Sequence, residues 1–315
     1  MSILSCPEFH DEQAAYDYVE SKLWPNGPVC PRCGEDKRIT KMKGKSTRIG
    51  TYKCRACRKP FTVKIGTLFE SSHVKMNIWL LAIYLLCSSK KGMSTNQLHR
   101  ALGVTLPTAW FMSHRIREAM ANKALTNFGV NGGIVEVDET YMGKTKGLGK
   151  GPHLSKKRKI VSIIDRDTNE VRSVVVDKVS VESLTPIIEN HVSEDAYLMT
   201  DQAQHYKKIG AEFAGHHTVN HGKKQYGDQA DQTLHTNSVE NYFALFKRGM
   251  RGIYQHCAEK HLHRYLAEYD HRYNYRIKNG YDDADRAEMA LLGVVGKRLT
   301  YDQLRLESPG NYIDR

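Results

Sequence analysis

Three carboxylates and two cysteine pairs carry most of the chemistry legible in this sequence. Asp138 lies inside the run IVEVDETYMG, Asp201 follows AYLMT, and Glu240 stands in HTNSVENYFALFKRGMRG. The first run alternates like a strand, with Ile134, Glu136, Asp138 and Thr140 on one side and Val135, Val137 and Glu139 on the other. Residues 196–200 form a second short strand with Asp201 at its tip. A carboxylate among buried neighbours is costly without a partner, and two on adjacent strands suit a divalent cation. These residues leave two alternatives open: Asp201 as the cap of a helix starting at Gln202, and Asp138 on the surface of an edge strand.

In the third segment Val239, Phe243, Phe246 and Met250 recur at helical spacing. Glu240 and Lys247 share a neighbouring stripe two turns apart, with Ala244 between them and Asn237 one turn earlier. Such a helix aims a carboxylate, an amide and an ammonium along the rim of one site. Two aspartates on strands and an acid on a helix are what two-metal phosphoryl transfer requires: one ion activates the attacking water or hydroxyl, the other stabilises the leaving oxygen. Oxygen donors suit Mg2+ or Mn2+, and Lys247 would hold a DNA phosphate beside them.

Cys30 and Cys33 form one C-x-x-C knuckle, and Cys54 and Cys57 a second about twenty residues later, the spacing of a four-cysteine zinc site. Two unrelated redox pairs are disfavoured because no βαβ pattern surrounds either knuckle. A closed shell of four thiolates leaves no open position, so this zinc is expected to be structural. Thr47, Ile49, Thr51 and Tyr52, then Phe61, Thr62 and Val63, predict the short strands that present the knuckles. Cys6, Cys87 and Cys257 fall outside the pattern.

Residues 75–123 turn to helical spacing, with Trp79, Ile83 and Leu86 on one stripe. Ser94 and Gln97 form a capping box for a second helix whose Leu98, Ala101 and Leu102 face inward; Gly103 turns the chain, and Thr105 and Pro107 open a third. This is a helix-turn-helix outline, with His114, Arg115 and Arg117 on the third helix available to DNA phosphates or base edges. Further along, residues 159–164 and 171–177 predict strands and 183–191 a helix, which with the strands of Asp138 and Asp201 give an α/β layer.

The chain of 315 residues carries a net charge of +12, with Lys and Arg spread along it, which favours a polyanionic partner. Its longest apolar run, 78–87, is far short of the roughly 18 residues that cross a bilayer. No secretion signal is visible, so a cytoplasmic protein is expected.

At these residues the sequence resembles the zinc-ribbon insertion-sequence transposases of the DDE type, whose catalytic domain is called ISXO-like. The likeness rests on CPRCG, CRACRKPF, TAWFMSHRIR, VEVDETYMG, TDQAQHY, HTNSVENYFALFKRG and HRYLAEYDHRYNYR, in that order over nearly the whole chain. It implies an α/β chain with a ribonuclease H-like catalytic domain preceded by a four-cysteine zinc ribbon and a helix-turn-helix region. The expected boundaries are a helical leader at 1–25, the ribbon at 26–69, helix-turn-helix at 70–127, the catalytic domain at 128–280 and a tail at 281–315. The resemblance also implies terminal-repeat binding by the N-terminal modules and metal coordination by Asp138 and Asp201. Family members carry Glu or Asn as the third ligand; Glu240, seven residues before Lys247, is preferred, with Asn237 as a supporting amide or alternative ligand. His235 is expected to be hydrogen-bonded at the helix start. The partners would be double-stranded DNA, as terminal repeats and as target, with two active sites and hence a homodimer or larger assembly on DNA. A transposase-derived DNA-binding regulator without catalysis, and a ribonuclease H-like nuclease that cuts without joining, are the rival functions.

Overall fold

The computed structural model describes residues 3–121, 126–143, 157–219 and 235–306, and the chain divides into two compact units. One runs from the N-terminus to residue 122 and includes 275–306; the other covers 123–274. The basic, glycine-rich stretch 144–151, which reads as a turn, lies outside the described residues.

In the N-terminal unit, α1 (Glu12–Leu23) starts where the Asp11 carboxylate accepts the Ala14 N–H at 2.7 Å. An antiparallel sheet follows, β1 (Ile39–Lys41), β2 (Tyr52–Cys54) and β3 (Pro60–Phe61). Lys53 pairs with both Thr40 and Pro60, so these three share the exposed face, while Tyr52, Cys54 and Phe61 pack with Trp24 on the other. Then come α2 (Met76–Ser88), α3 (Thr95–Leu102) and α4 (Leu106–Met120). The stripe of Trp79, Ile83 and Leu86 is buried as expected. α3 opens on the Ser94–Gln97 capping box and ends at Gly103, whose φ of 65° is the left-handed conformation a Cβ would disfavour. Leu98 and Leu102 are buried, but Ala101 is exposed: three residues after Leu98, it falls on the flank of a narrow stripe. Thr105 caps α4. A helix at Asp283–Leu292 returns into the same core through Ala290 and Leu291. No described helix is long and apolar enough to cross a membrane.

The second unit is a five-stranded mixed sheet. β4 (Ile134–Met142), β5 (Arg158–Asp165) and β6 (Glu170–Val176) form an antiparallel meander. After α5 (Val181–Glu189), β7 (Tyr197–Asp201) returns parallel to β4; α6 (Gln204–Ile209) leads to β8 (Gly215–Val219), parallel to β7. The strand order is β6-β5-β4-β7-β8, which puts β4 at the centre. Alternation sorts the faces: Val135, Val137, Val161 and Ile163 pack on α5 and α6, whereas Ile160, Ile164 and Val171 pack on α7 (Asn237–Gly249) and α8 (Leu262–Asn274). β8 was not expected from the sequence, because GHHTV carries no apolar run.

The α7–α8 face also buries a polar group. Asp270 of α8 accepts the Ser173 N–H at 2.9 Å, the Ser173 hydroxyl at 2.8 Å and the Tyr242 hydroxyl. Burial pushes its carboxyl up to about 7, against the hydrogen bonds from Tyr242 and Ser173 that hold it down. The folded chain thus keeps a proton that the unfolded chain releases near pH 4, so this residue's contribution is lost as pH rises from about 4 to 7. Urea unfolding between pH 5 and 8 should show wild type losing about 2–3 kcal/mol relative to Asp270→Asn. Equal pH slopes for the two proteins would contradict the assignment.

Candidate metal-binding active site

β4 and β7 are parallel neighbours with Glu136 level with Met199. Carried on by two residues, that register sets Asp138 level with Asp201, both on the face that carries α7. Asp138 is therefore on the central strand and not an edge. The Asp201 carboxylate accepts the Ala203 N–H at 2.9 Å as the chain turns into α6, so one oxygen supports the turn. Glu240 lies in the first turn of α7, where the Thr236 hydroxyl donates to it at 3.4 Å.

The charges of these residues meet at Asp138. Burial and the neighbouring Glu139 push its carboxyl up to about 8, and Asp201 and Glu240 add to the shift, opposed by the Glu139 N–H at 2.8 Å. Lys247, two turns after Glu240, feels the same carboxylate. Its ammonium is lowered by burial and by Arg251 and raised by Asp138. Asn237, the exposed first residue of α7, donates its N–H to the His235 ring at 3.3 Å. The three acids are more widely spread than the thiols of the ribbon. Among the described residues the one group of three or more such side chains whose ligand atoms converge is Cys30, Cys33, Cys54 and Cys57, all within 4.8 Å of one another.

Two further acids at this site escaped the sequence reading. Glu136, fully buried, accepts the backbone N–H groups of Ser238 and Val239 at 3.0 Å each, and so fastens the first turn of α7 to β4. Its other oxygen accepts from Arg166 at 2.7 Å and lies 3.4 Å from the His235 ring, while Arg166 also donates to the His235 carbonyl. His235 is thus hydrogen-bonded at the helix start. The signal was present as an acid at an inward strand position two residues before Asp138. Glu139, on the opposite side of β4, accepts the Tyr206 hydroxyl at 2.8 Å and is raised by burial first and by Asp201 among its further causes.

In the ribbon, Sγ of Cys30 lies 3.7 Å from that of Cys57, and Cys33 3.6 Å from Cys54. The Cys57 N–H points to the Cys54 sulfur at 3.5 Å. Burial opposes ionisation of Cys30, yet the N–H groups of Arg32 and Cys33 bring its thiol down to about 7. Four converging thiols, one already poised to ionise, fit zinc.

The expectation for α4 is corrected. His114, Arg115 and Arg117 are 0%, 6% and 1% exposed. His114 packs its ring on Trp110, and Arg115 lies over Phe111 and donates to the carbonyls of Leu299 and Glu70. Arg117 donates to the Ser113 hydroxyl at 3.0 Å. These side chains fasten the helix within its own unit and present nothing to DNA.

Comparison with known proteins matches a transposase zinc-ribbon domain at residues 10–60 and an ISXO2-like transposase domain at 131–274. The chain belongs to the zinc-ribbon ISXO2-like transposases. It is 25% identical over 262 residues to an uncharacterized protein in the transposable element ISH50 of Halobacterium salinarum, covering 78% of this chain and 86% of that one. Among solved structures, a chain of a simian T-cell lymphotropic virus intasome in complex with the PP2A regulatory subunit B56 gamma matches at 17% identity. That match covers 55% of this chain and 67% of the other, with a TM-score of 0.27, a likeness too low to establish a shared fold.

Two measurements test this geometry in the purified transposase. Native mass spectrometry should find one zinc ion, lost in a Cys30→Ser, Cys33→Ser double variant; unchanged zinc content would overturn the ribbon site. Glu136→Ala, which leaves Arg166 and two helix amides without their acceptor, should cost about 3–5 kcal/mol in denaturant unfolding. A cost under about 1 kcal/mol would show that α7 does not depend on this acid.

Proposed function

We propose that this transposase binds the terminal repeats of its insertion sequence, hydrolyses a phosphodiester there, and joins the freed 3′-hydroxyl to target DNA. Both steps exchange one phosphodiester oxygen for another, so one site serves both. The observation that carries the reading is Asp138: central in the sheet, level with Asp201, and driven up to about 8 by burial and by the charges of Glu139, Asp201 and Glu240. A group so placed favours a multivalent cation. Asp138, Asp201 and Glu240 would hold Mg2+ or Mn2+, with Asn237 as a supporting amide or alternative ligand. Such ions polarise the reacting phosphate and acidify the attacking oxygen.

The chain's own residues do the rest. Glu136 and Arg166 keep α7, and with it Glu240, against the sheet. Lys247 supplies a positive charge where a DNA phosphate would approach Asp138. An antiparallel meander continued by two parallel strands, with helices on both faces, supports a ribonuclease H-like reading of the unit, and α3–Gly103–α4 supports a helix-turn-helix. Two element ends need two active sites, so the working form on DNA is proposed to be a homodimer or larger.

The test is strand transfer by the purified chain on DNA carrying the element's ends, in Mg2+ or Mn2+. Joined product should form with wild type and fall by about 100-fold or more with Asp138→Ala, Asp201→Ala and Glu240→Gln. If Asn237→Ala abolishes joining while Glu240→Gln does not, Asn237 is the third ligand. Wild type that binds ends but never cuts would be a DNA-binding regulator, and wild type that cuts but never joins would be a nuclease.

A further inference from the structure

With the arginines of α4 turned inward, the DNA-facing charge of the N-terminal unit must lie elsewhere, and the ribbon holds it. Residues 28–63 contain eleven Lys and Arg against two acids, Glu35 and Asp36, a net charge of +9 within a chain whose total is +12. All eleven cations are exposed. Two are tied to acids: Arg38 to Glu35 at 2.9 Å and Lys41 to Asp17 at 3.3 Å. Lys53, Arg58 and Lys59 meet no acid among the described residues.

The sheet sorts these charges by side. Tyr52, Cys54 and Phe61 commit one face to the apolar cluster with Trp24, which leaves Thr40, Lys53 and Pro60 across the other. Arg55 joins that open face: its backbone N–H continues the ladder onto the Arg38 carbonyl, and its guanidinium donates to the Thr40 hydroxyl at 3.1 Å. Lys53 on β2 and Arg55 just past its end are thus both drawn to the side of Thr40, the first as its strand partner and the second by its hydrogen bond. Arg58 and Lys59 follow on the turn into β3, which the zinc thiols brace. An open sheet face this rich in unpaired cations, braced by the four converging thiols that would hold zinc, fits a surface of regularly spaced negative charge.

We infer that the open face of the ribbon sheet, centred on Lys53 and Arg55, grips the phosphate backbone of a DNA duplex. The inference rests on the transposase reading for the identity of the polyanion. Contacts of this kind carry no base code, so the ribbon holds DNA of any sequence and leaves discrimination of the ends to other residues.

The test is fluorescence anisotropy of the full chain, zinc-loaded, on two labelled duplexes, one carrying the element's end and one of arbitrary sequence, over a range of salt. Lys53→Gln with Arg55→Gln should weaken binding to both duplexes about tenfold and lower the slope of log affinity against log salt by about 2, with zinc retained. The charge-preserving pair Lys53→Arg with Arg55→Lys should bind like wild type. Lys207→Gln with Lys208→Gln, which removes two exposed cations from α6, is the control and should change little. Unchanged affinity and slope in the Gln pair, or an equal loss in the control, would overturn the surface. Strand transfer, run in parallel, separates the two ideas. Ribbon-dependent binding without cutting or joining sinks the transposase reading alone; joining with binding indifferent to the ribbon changes sinks the surface alone.

Discussion

The buried carboxylate of Glu136 is the interaction on which the rest of the second unit's site depends. It is taken out of water completely, a cost that only full hydrogen bonding offsets. Here that bonding comes from two backbone N–H groups of α7 and from Arg166. The first helical turn supplies donors without intrahelical partners and a positive dipole end, so the acid and the helix start satisfy each other. Because the bonded amides belong to Ser238 and Val239, Glu240 follows immediately, and little slack separates the anchor from the acid that needs aiming. Arg166 extends the same lock to the residue before the helix by holding His235.

β4 therefore carries two acids in contrasting surroundings, two residues apart on one face. Glu136 has its oxygens occupied by donors. Asp138 receives the N–H of the next residue, and burial and Glu139, with Asp201 and Glu240 adding to them, drive its carboxyl up. The difference lies in what stands opposite each one: a helix start and a guanidinium for the first, more carboxylates for the second. An acid so fully satisfied beside one left among like charges is the arrangement that the proposed divalent cation would complete.

Much of this was legible because the deciding patterns are local. The cysteine spacing, the capping box at Ser94, the alternation through Asp138 and the stripe of α7 each depend on a few adjacent residues, and each takes its expected form. What escaped is non-local. β8 has no apolar run of its own and is recruited by β7. Glu136 could be placed on the side of Asp138, but its bond to a helix start about a hundred residues away has no sequence signature. The tail at 281–315 had no element expected in it, yet the helix at Asp283–Leu292 buries Ala290 and Leu291 in the first unit.

The arginines show why charge resists such reading. A guanidinium brings five donors and an apolar stem, so it serves equally well in solution against a phosphate or inside a unit against carbonyls and a ring. Arg115 takes the second course, and composition alone cannot distinguish the two. The ribbon differs because its sheet is too thin to bury a second face: once Tyr52, Cys54 and Phe61 have turned inward, the alternate residues have only solvent. Outside residues 28–63 the charges nearly cancel, so the net field of the chain arises largely from this small sheet. Screening over roughly 8–10 Å weakens distant charges, but cations packed within a few strands still act together. The cations inferred to grip DNA and the acids proposed to act on it thus reside in different units, one positive in water and the other concentrating negative charge on a buried sheet.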